Sequence, residues 1–154
     1  MKLEQLEHEY VIKFYLNARH YIVYNGKKGE THPHTWEFTL KIKYHRDSFT
    51  EFNTFENGIN KYLDIYQNKV MNDIPPFDTI IPTLENMADY FSKEFSNIIS
   101  DIGGRLASVE ASETPTRTYA VNTENINTQK SQFNKDLAIK NLVSRYIDLI
   151  LIDA

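Results

Sequence analysis

The sequence predicts an α+β fold in which two helices cover one face of a four-stranded antiparallel sheet, in the order β-β-α-α-β-β, with a further helix at the C-terminus. Two observations support this prediction. Segments with a hydrophobic period of two lie at both ends of residues 1–121, and segments with a period of three to four lie between them. Strands from the two ends can therefore pair around a central pair of amphipathic helices.

The first two predicted strands alternate apolar and polar residues. The first covers residues 10–18, where Tyr10, Ile12 and Phe14 share one parity. The second, "WEFTLKIKYH" at residues 36–45, alternates throughout, which is typical of a half-buried antiparallel strand. Asn-Gly and Lys-Gly pairs between the two segments favour turns.

Two helices are predicted next. Apolar residues recur three and four positions apart in residues 52–66, which indicates one buried stripe. The paired prolines Pro75 and Pro76 cannot continue a helix, because they remove hydrogen-bond donors. A second helix is expected to begin after Thr83, a residue that can act as its N-cap, with Glu85 in its first turn.

The remaining segments complete the predicted organisation. Residues 106–111 and 117–121 are expected to form short strands separated by the sequence "SETPT". We therefore expect one domain at residues 1–121, a polar linker at 122–134 and an amphipathic C-terminal helix at 135–154, which would pack on its own subunit or on a neighbour.

Composition argues against several classes of function. The chain has 154 residues, no cysteine and a formal net charge of −4. Without cysteine it has no disulfides, cysteine zinc ligands or cysteine nucleophile. The charge and the lack of a Lys/Arg cluster argue against nucleic-acid binding, and no segment resembles a signal peptide or a membrane span. We expect a cytoplasmic protein with neither nucleic acid nor membrane as a partner.

Three of the five histidines are expected to converge. His32 and His34 lie on one face of the second strand, the face that carries Trp36, and His20 follows the apolar parity of the first strand. A hairpin would bring all three to one end of one face. Three neutral imidazoles are a common catalytic zinc shell with one open position. The alternative is a group of exposed or hydrogen-bonded histidines without a metal, and a bulge between the strands would separate them.

Several segments, in order, resemble the 6-pyruvoyl-tetrahydropterin synthase and 6-carboxytetrahydropterin synthase family. The sequences "NARHYI" and "HPHTWEFTLKI" resemble the family's zinc-binding strand segments. "NDIPPFDTIIPTLENMADYF" resembles its loop and second helix, and "SETPT" resembles its ETPT motif. The resemblance covers roughly residues 8–121 and implies the family's tunnelling fold, whose subunits assemble as trimers and usually hexamers.

The resemblance also implies roles for four residues. His20, His32 and His34 would bind zinc, and Glu113 would anchor a pterin. A carboxylate suits that anchor because a pterin presents two N–H donors side by side, which one carboxylate can accept together. The "PTLEN" segment is expected to be structural, capping the second helix and shaping the loop before it.

The family's proton-transfer residues are replaced. Lys27 or Lys28 stands where the family has a catalytic Cys, and Gln67 and Asn68 stand where it has an Asp-His pair. One branch of the family uses a glutamate shortly before the histidine pair, and Glu30 lies near that position. Glu30 is therefore a candidate replacement base, with an exposed, charged loop residue as the alternative.

Three functions remain open from the sequence. The first is a zinc-dependent lyase acting on 7,8-dihydroneopterin triphosphate or a related dihydropterin. The second is a non-catalytic or repurposed pterin-binding homologue, which the loss of the Cys and the Asp-His pair favours. The third is a metal-free scaffold. The first implies Zn²⁺ as cofactor, the first two imply a pterin-type small molecule as ligand, and the family resemblance implies a homo-oligomer, a trimer or hexamer.

Overall fold

Six strands form two antiparallel sheets in the computed structural model, which describes residues 8–44 and 51–126. In chain order the strands are β1 (Glu9–His20), β2 (Val23–Tyr24), β3 (Lys27–Lys28), β4 (His32–Lys43), β5 (Arg105–Thr114) and β6 (Arg117–Asn122). The main sheet has the order β1-β4-β5-β6, and β2 and β3 form a small ribbon of their own. The predicted four-stranded antiparallel sheet is confirmed.

Two helices pack on one face of the main sheet. They are α1 (Phe52–Leu63) and α2 (Leu84–Ile102), with a short 3-10 turn at Met71–Asp73 between them. Helix α2 contacts β5 and β6, and α1 contacts β1 and α2. The core consists of large apolar side chains from the inner sheet face and the facing helix stripes, among them Phe14, Leu16, Trp36, Phe38, Leu40, Ile42, Phe55, Ile59, Leu63, Met87, Phe91, Phe95, Ile99 and Val109. The predicted α+β arrangement with two helices on one face is therefore confirmed.

The hairpin of β1 and β4 pairs without a break, from Glu9–Lys43 to His20–His32. The connection includes a tight turn at Asn25 and Gly26, whose φ angles of 50° and 74° match the two central positions of a type I′ turn. The unbroken register keeps the apolar residues of both strands on the inner face, as the alternation predicts.

Helix α2 begins and ends with capping interactions. The Thr83 hydroxyl accepts a hydrogen bond from the backbone N–H of Asn86 at 3.1 Å. The Asn86 side-chain amide donates to the carbonyl of Ile81 at 2.9 Å, which fixes the loop before the helix. Gly103 ends the helix with a φ of 104°, a left-handed conformation that glycine adopts without steric cost. The "PTLEN" segment thus has the structural role that the sequence predicts.

The chain divides into two compact units, Met1–Glu124 and Asn125–Ala154. Thr123 is buried and donates its hydroxyl to the carbonyl of Leu106 at 2.6 Å, so the first residues of the predicted linker belong to the first unit. The rest of that linker beyond residue 126, and the predicted helix at 135–154, lie outside the described residues. No helix in the described ranges is both long enough and apolar enough to cross a membrane.

Replacement of Thr83 by Ala should destabilise the protein by about 1 kcal/mol, because the backbone N–H of Asn86 loses its capping acceptor. Urea unfolding monitored by circular dichroism measures this change. Thr83→Ser keeps a hydroxyl at the same position and should retain most of the stability. Equal stability of the Ala and Ser variants would contradict the capping role.

Candidate metal centre

The three histidines converge at the end of the hairpin. His20 ends β1 directly opposite His32, and His34 lies opposite Ala18 on the same face. Each imidazole offers a ring nitrogen, and these three nitrogens lie within 4.8 Å of one another. The ring centroids are 4.5 to 5.0 Å apart. The predicted convergence of the three side chains is thus observed.

Backbone carbonyls fix two of these rings. The Nδ1 atom of His20 lies 2.8 Å from the carbonyl oxygen of Pro82, and Nδ1 of His32 lies 2.9 Å from that of Glu30. A carbonyl can only accept, so each Nδ1 carries the proton and donates it. The Nε2 atoms of both rings then present lone pairs to each other at 2.8 Å. A cation or a proton between the two Nε2 atoms would stabilise this arrangement. The hydrogen bonds from Nδ1 to backbone carbonyls are also typical of histidines that bind a metal through Nε2.

The protonation state of His20 also suits a metal ligand. This side chain is only 2% exposed. Burial lowers the pKa of His20 below its ordinary value of 6.5, although the hydrogen bond to Pro82 opposes the shift. The neighbouring His32 and His34 lower the pKa further. His20 is therefore neutral at pH 7, and neutral imidazole is the form that binds metals.

Trp36 lies directly beneath the cluster and links it to Glu113. Its fully buried indole has ring centroids 4.9 Å from His20 and 5.2 Å from His34. The indole N–H donates to the Glu113 carboxylate at 3.0 Å. One side chain thus contacts two of the histidine rings and orients the carboxylate on β5.

A cavity of about 920 Å³ lies beside the histidines. All three histidines and Glu113 line it, together with residues from the start of α2 and from β6 such as Glu85 and Arg117. The four residues to which the resemblance gives roles therefore share one cavity, large enough for a bicyclic small molecule. His20 is 12 residues from His32 and more than 90 from Glu113 along the chain, and the pairing of β1, β4 and β5 brings these side chains together.

Glu30 contributes to the site through its backbone. Its carbonyl holds His32, but its side chain is not among those that line the cavity in the described residues. Lys28, one of the two lysines that the resemblance places where the family has a Cys, holds its ammonium 4.2 Å above the ring of Tyr21. The sequence predicted neither contact, and the hydrogen bond that the Glu30 carbonyl accepts leaves no signal in the residue type.

Gln67 has a structural role that sequence reasoning missed. Its side-chain carbonyl accepts from the backbone N–H of Asn17 at 2.9 Å, and its amide donates to the carbonyl of Tyr15 at 2.8 Å. The next residue, Asn68, has a φ of 61° and donates its own N–H to the Asn17 carbonyl at 2.6 Å. Both residues thus bind the outer edge of β1, where an unpaired strand edge would otherwise lie open.

Comparisons with known proteins agree with this fold. A family model described as 6-pyruvoyl tetrahydropterin synthase matches residues 9–124. The α+β fold described above is that of a known class of proteins. The chain belongs to the 6-pyruvoyl tetrahydropterin synthase family. No curated protein matches the chain significantly in sequence.

Several solved structures share the fold at low identity. The 6-pyruvoyl tetrahydropterin synthase of Caenorhabditis elegans has a TM-score of 0.66 and 16% identity, covering 79% of this chain and 99% of that chain. The enzyme of Plasmodium falciparum has a TM-score of 0.55 and 16% identity, covering 75% and 96%. A Plasmodium vivax enzyme, in which a glutamate described as the catalytic residue is replaced by alanine, has a TM-score of 0.56 and 15% identity, covering 76% and 98%. These likenesses establish the fold.

Replacement of Gln67 by Ala should lower the free energy of unfolding by about 1 to 2 kcal/mol, because two hydrogen bonds to β1 are lost. Gln67→Glu keeps the acceptor for Asn17 and loses the donor to Tyr15, so we expect an intermediate loss. Urea unfolding of the three proteins measures the series. Unchanged stability of the Ala variant would contradict the structural role of Gln67.

Proposed function

We propose that the chain is a zinc-dependent lyase that acts on 7,8-dihydroneopterin triphosphate or a related dihydropterin. The observation that carries this proposal is the convergence of three imidazoles and the Glu113 carboxylate on one cavity. Membership of the 6-pyruvoyl tetrahydropterin synthase family supports the substrate class. Glu113 and the histidines are the residues on which the proposal depends.

The histidine cluster fits a zinc ion by its donor chemistry. Zinc takes three imidazoles and keeps a fourth position for water or substrate in many catalytic sites. His20 and His32 already have Nδ1 bound to carbonyls and Nε2 directed at each other. A zinc ion held by these residues would supply Lewis acidity to the hydroxyl groups of a bound substrate.

Glu113 would hold the pterin ring. Its carboxylate is fixed by the indole of Trp36 through one oxygen, and a carboxylate has about four acceptor sites in all. Capacity therefore remains for the two adjacent N–H donors of a pterin. In this role Glu113 would orient the pterin so that the side chain of the substrate extends toward the histidines.

Glu30 is the proposed general base. Its backbone carbonyl already holds His32, so the residue is anchored beside the cluster. The Plasmodium vivax enzyme relies on a glutamate as its catalytic residue, which supports a carboxylate in this role. To accept a proton from a substrate hydroxyl, the Glu30 side chain would have to turn toward the cavity.

One observation favours a second candidate, a non-catalytic or repurposed pterin-binding homologue. Gln67 uses both groups of its side chain to hold β1. Gln67, which stands where the family resemblance places an acid, therefore stabilises the fold. In this alternative the histidines and Glu113 bind metal and pterin without turnover.

The assembly and location are also proposed. The family resemblance supports a homo-oligomer, a trimer or hexamer. The net charge of −4 and the absence of cysteine support a cytoplasmic protein with neither nucleic acid nor membrane as partner.

Turnover tests the enzyme proposal. The protein with zinc should release triphosphate or acetaldehyde from 7,8-dihydroneopterin triphosphate, and His32→Ala should reduce release to background. Glu113→Gln should raise KM at least about tenfold, because an amide presents a donor to the pterin donors. Glu110→Gln, on the same strand but outside the cavity, is the matched control. Release no faster than with His32→Ala would refute turnover of this substrate, and retained zinc and pterin binding would then support the second candidate.

Zinc binding should depend on pH. Protons compete with the metal for ring nitrogens, so affinity should be constant from about pH 7 to 8 and fall on acidification below about pH 6.5. The lowered pKa of His20 keeps that ligand neutral to a more acidic pH than an ordinary histidine. Competition titration with a fluorescent chelator measures the affinity. His32→Ala should weaken binding strongly and His8→Ala should not; equal affinities in these two variants would contradict the assigned cluster.

A further inference from the structure

A second cavity, of about 620 Å³, lies where the loop after α1 meets the edge of β1. Two basic residues line it, Arg19 on β1 and Lys69 on the loop. Three neutral polar residues also line it, Asn17, Thr35 and Asn68, and the described part of the chain places no carboxylate there. The cavity lining therefore carries two positive charges and no negative one, whereas the whole chain has a formal net charge of −4.

The backbone around this cavity is fixed by hydrogen bonds. The N–H of Arg19 donates to the carbonyl of Lys69 at 2.8 Å, so the two basic residues are held side by side. Gln67 and Asn68 bind Asn17 and Tyr15 through the three bonds described above. The backbone that carries the two basic residues is therefore fixed, so a ligand does not have to order it on binding.

Both cations have donors available for a ligand. Within the described ranges neither Arg19 nor Lys69 forms an ion pair, since the pairs found there are Lys13–Glu37 and Lys43–Glu124. The Lys69 ammonium donates to the carbonyl of Ile65 at 2.9 Å, which uses one of its three protons. The guanidinium of Arg19 presents a planar fork that matches an oxyanion.

Two neutral amides lie next to the basic residues in the chain. Where the family resemblance places an acid and an imidazole, this chain has Gln67 and Asn68. The Gln67 side chain binds the backbone of β1 and does not line the cavity. Asn68 adds a neutral polar side chain to the lining, so neither residue brings a negative charge to it.

We propose that this cavity is an oxyanion site that binds a phosphate-type group through Arg19 and Lys69. As a site for a free polyphosphate it requires neither zinc nor a pterin, and as a site for the phosphate end of a substrate it rests on the proposed function. His34 lines both this cavity and the one beside the histidines. The bound group is therefore either a free polyphosphate or the phosphate end of a ligand whose other end lies at the metal centre.

Isothermal titration with inorganic tripolyphosphate at low ionic strength tests the site on the full chain. We expect one binding site per chain, weakened about tenfold in Arg19→Gln because charge-assisted hydrogen bonds are lost, and partly restored in Arg19→Lys. Lys69→Gln should weaken binding similarly and provides a second variant with an exposed side chain. Added salt should weaken binding of the wild-type protein.

Two matched variants control for overall charge and for binding at the metal centre. Lys93→Gln removes one exposed positive charge from α2, outside the cavity, and should leave the affinity unchanged. His32→Ala should also leave it unchanged, because the anion does not bind at the metal centre. No binding, an equal loss in Lys93→Gln, or loss of binding in His32→Ala would each overturn the proposal.

The source of the phosphate is distinguished by two ligands. If Arg19→Gln weakens 7,8-dihydroneopterin triphosphate but not 7,8-dihydroneopterin, the site holds the phosphate end of that ligand. If Arg19→Gln weakens only tripolyphosphate, the site binds a free anion. Absence of turnover would leave the tripolyphosphate result intact, so failure of the proposed function and failure of this site are separate outcomes.

Discussion

The hydrogen bonds between β1 and β4 run without a bulge from Glu9–Lys43 to His20–His32, and both the core and the histidine cluster depend on that register. Side chains alternate between the two faces of a strand, so a shift of one residue would move a whole set to the opposite face. Leu16 and Trp36 would leave the core in that case, and His20 would no longer face His32. Burial of the apolar side chains of β1 and β4 contributes more free energy than the contacts among the histidines. It therefore fixes the register, and with it the geometry of the histidine cluster.

The cluster is completed by groups from outside the hairpin. Pro82, just before α2, and Glu30, just before β4, supply the carbonyls that orient two rings. Trp36 connects the histidines to Glu113 on β5. The loop that carries Gln67 closes the edge of β1 through two side-chain hydrogen bonds, so Gln67 has a role in the fold. A cavity lined by Arg19 and Lys69 lies along the same edge.

The sequence predicted the sheet, both helices and the convergence of the histidines, because alternation reports which face a residue occupies and the cap at Thr83 has a local signature. Contacts between distant segments could not be predicted. Gln67 binds β1 residues about fifty positions away, and Trp36 binds a carboxylate 77 positions away. The role of the Glu30 carbonyl was also missed, since any residue type provides that group. The roles of the histidines, Glu113 and the Glu30 side chain in binding and catalysis stay predictions.

Zinc-edge X-ray absorption of the purified, zinc-loaded protein tests the assigned metal centre most directly. We expect about one zinc per chain, with nitrogen or oxygen ligands at about 2.0–2.1 Å and the multiple-scattering pattern of about three imidazoles. His20→Ala should reduce that imidazole pattern. A protein without stoichiometric zinc, or a spectrum without imidazole scattering that is unchanged in His20→Ala, would contradict a zinc centre at the three histidines.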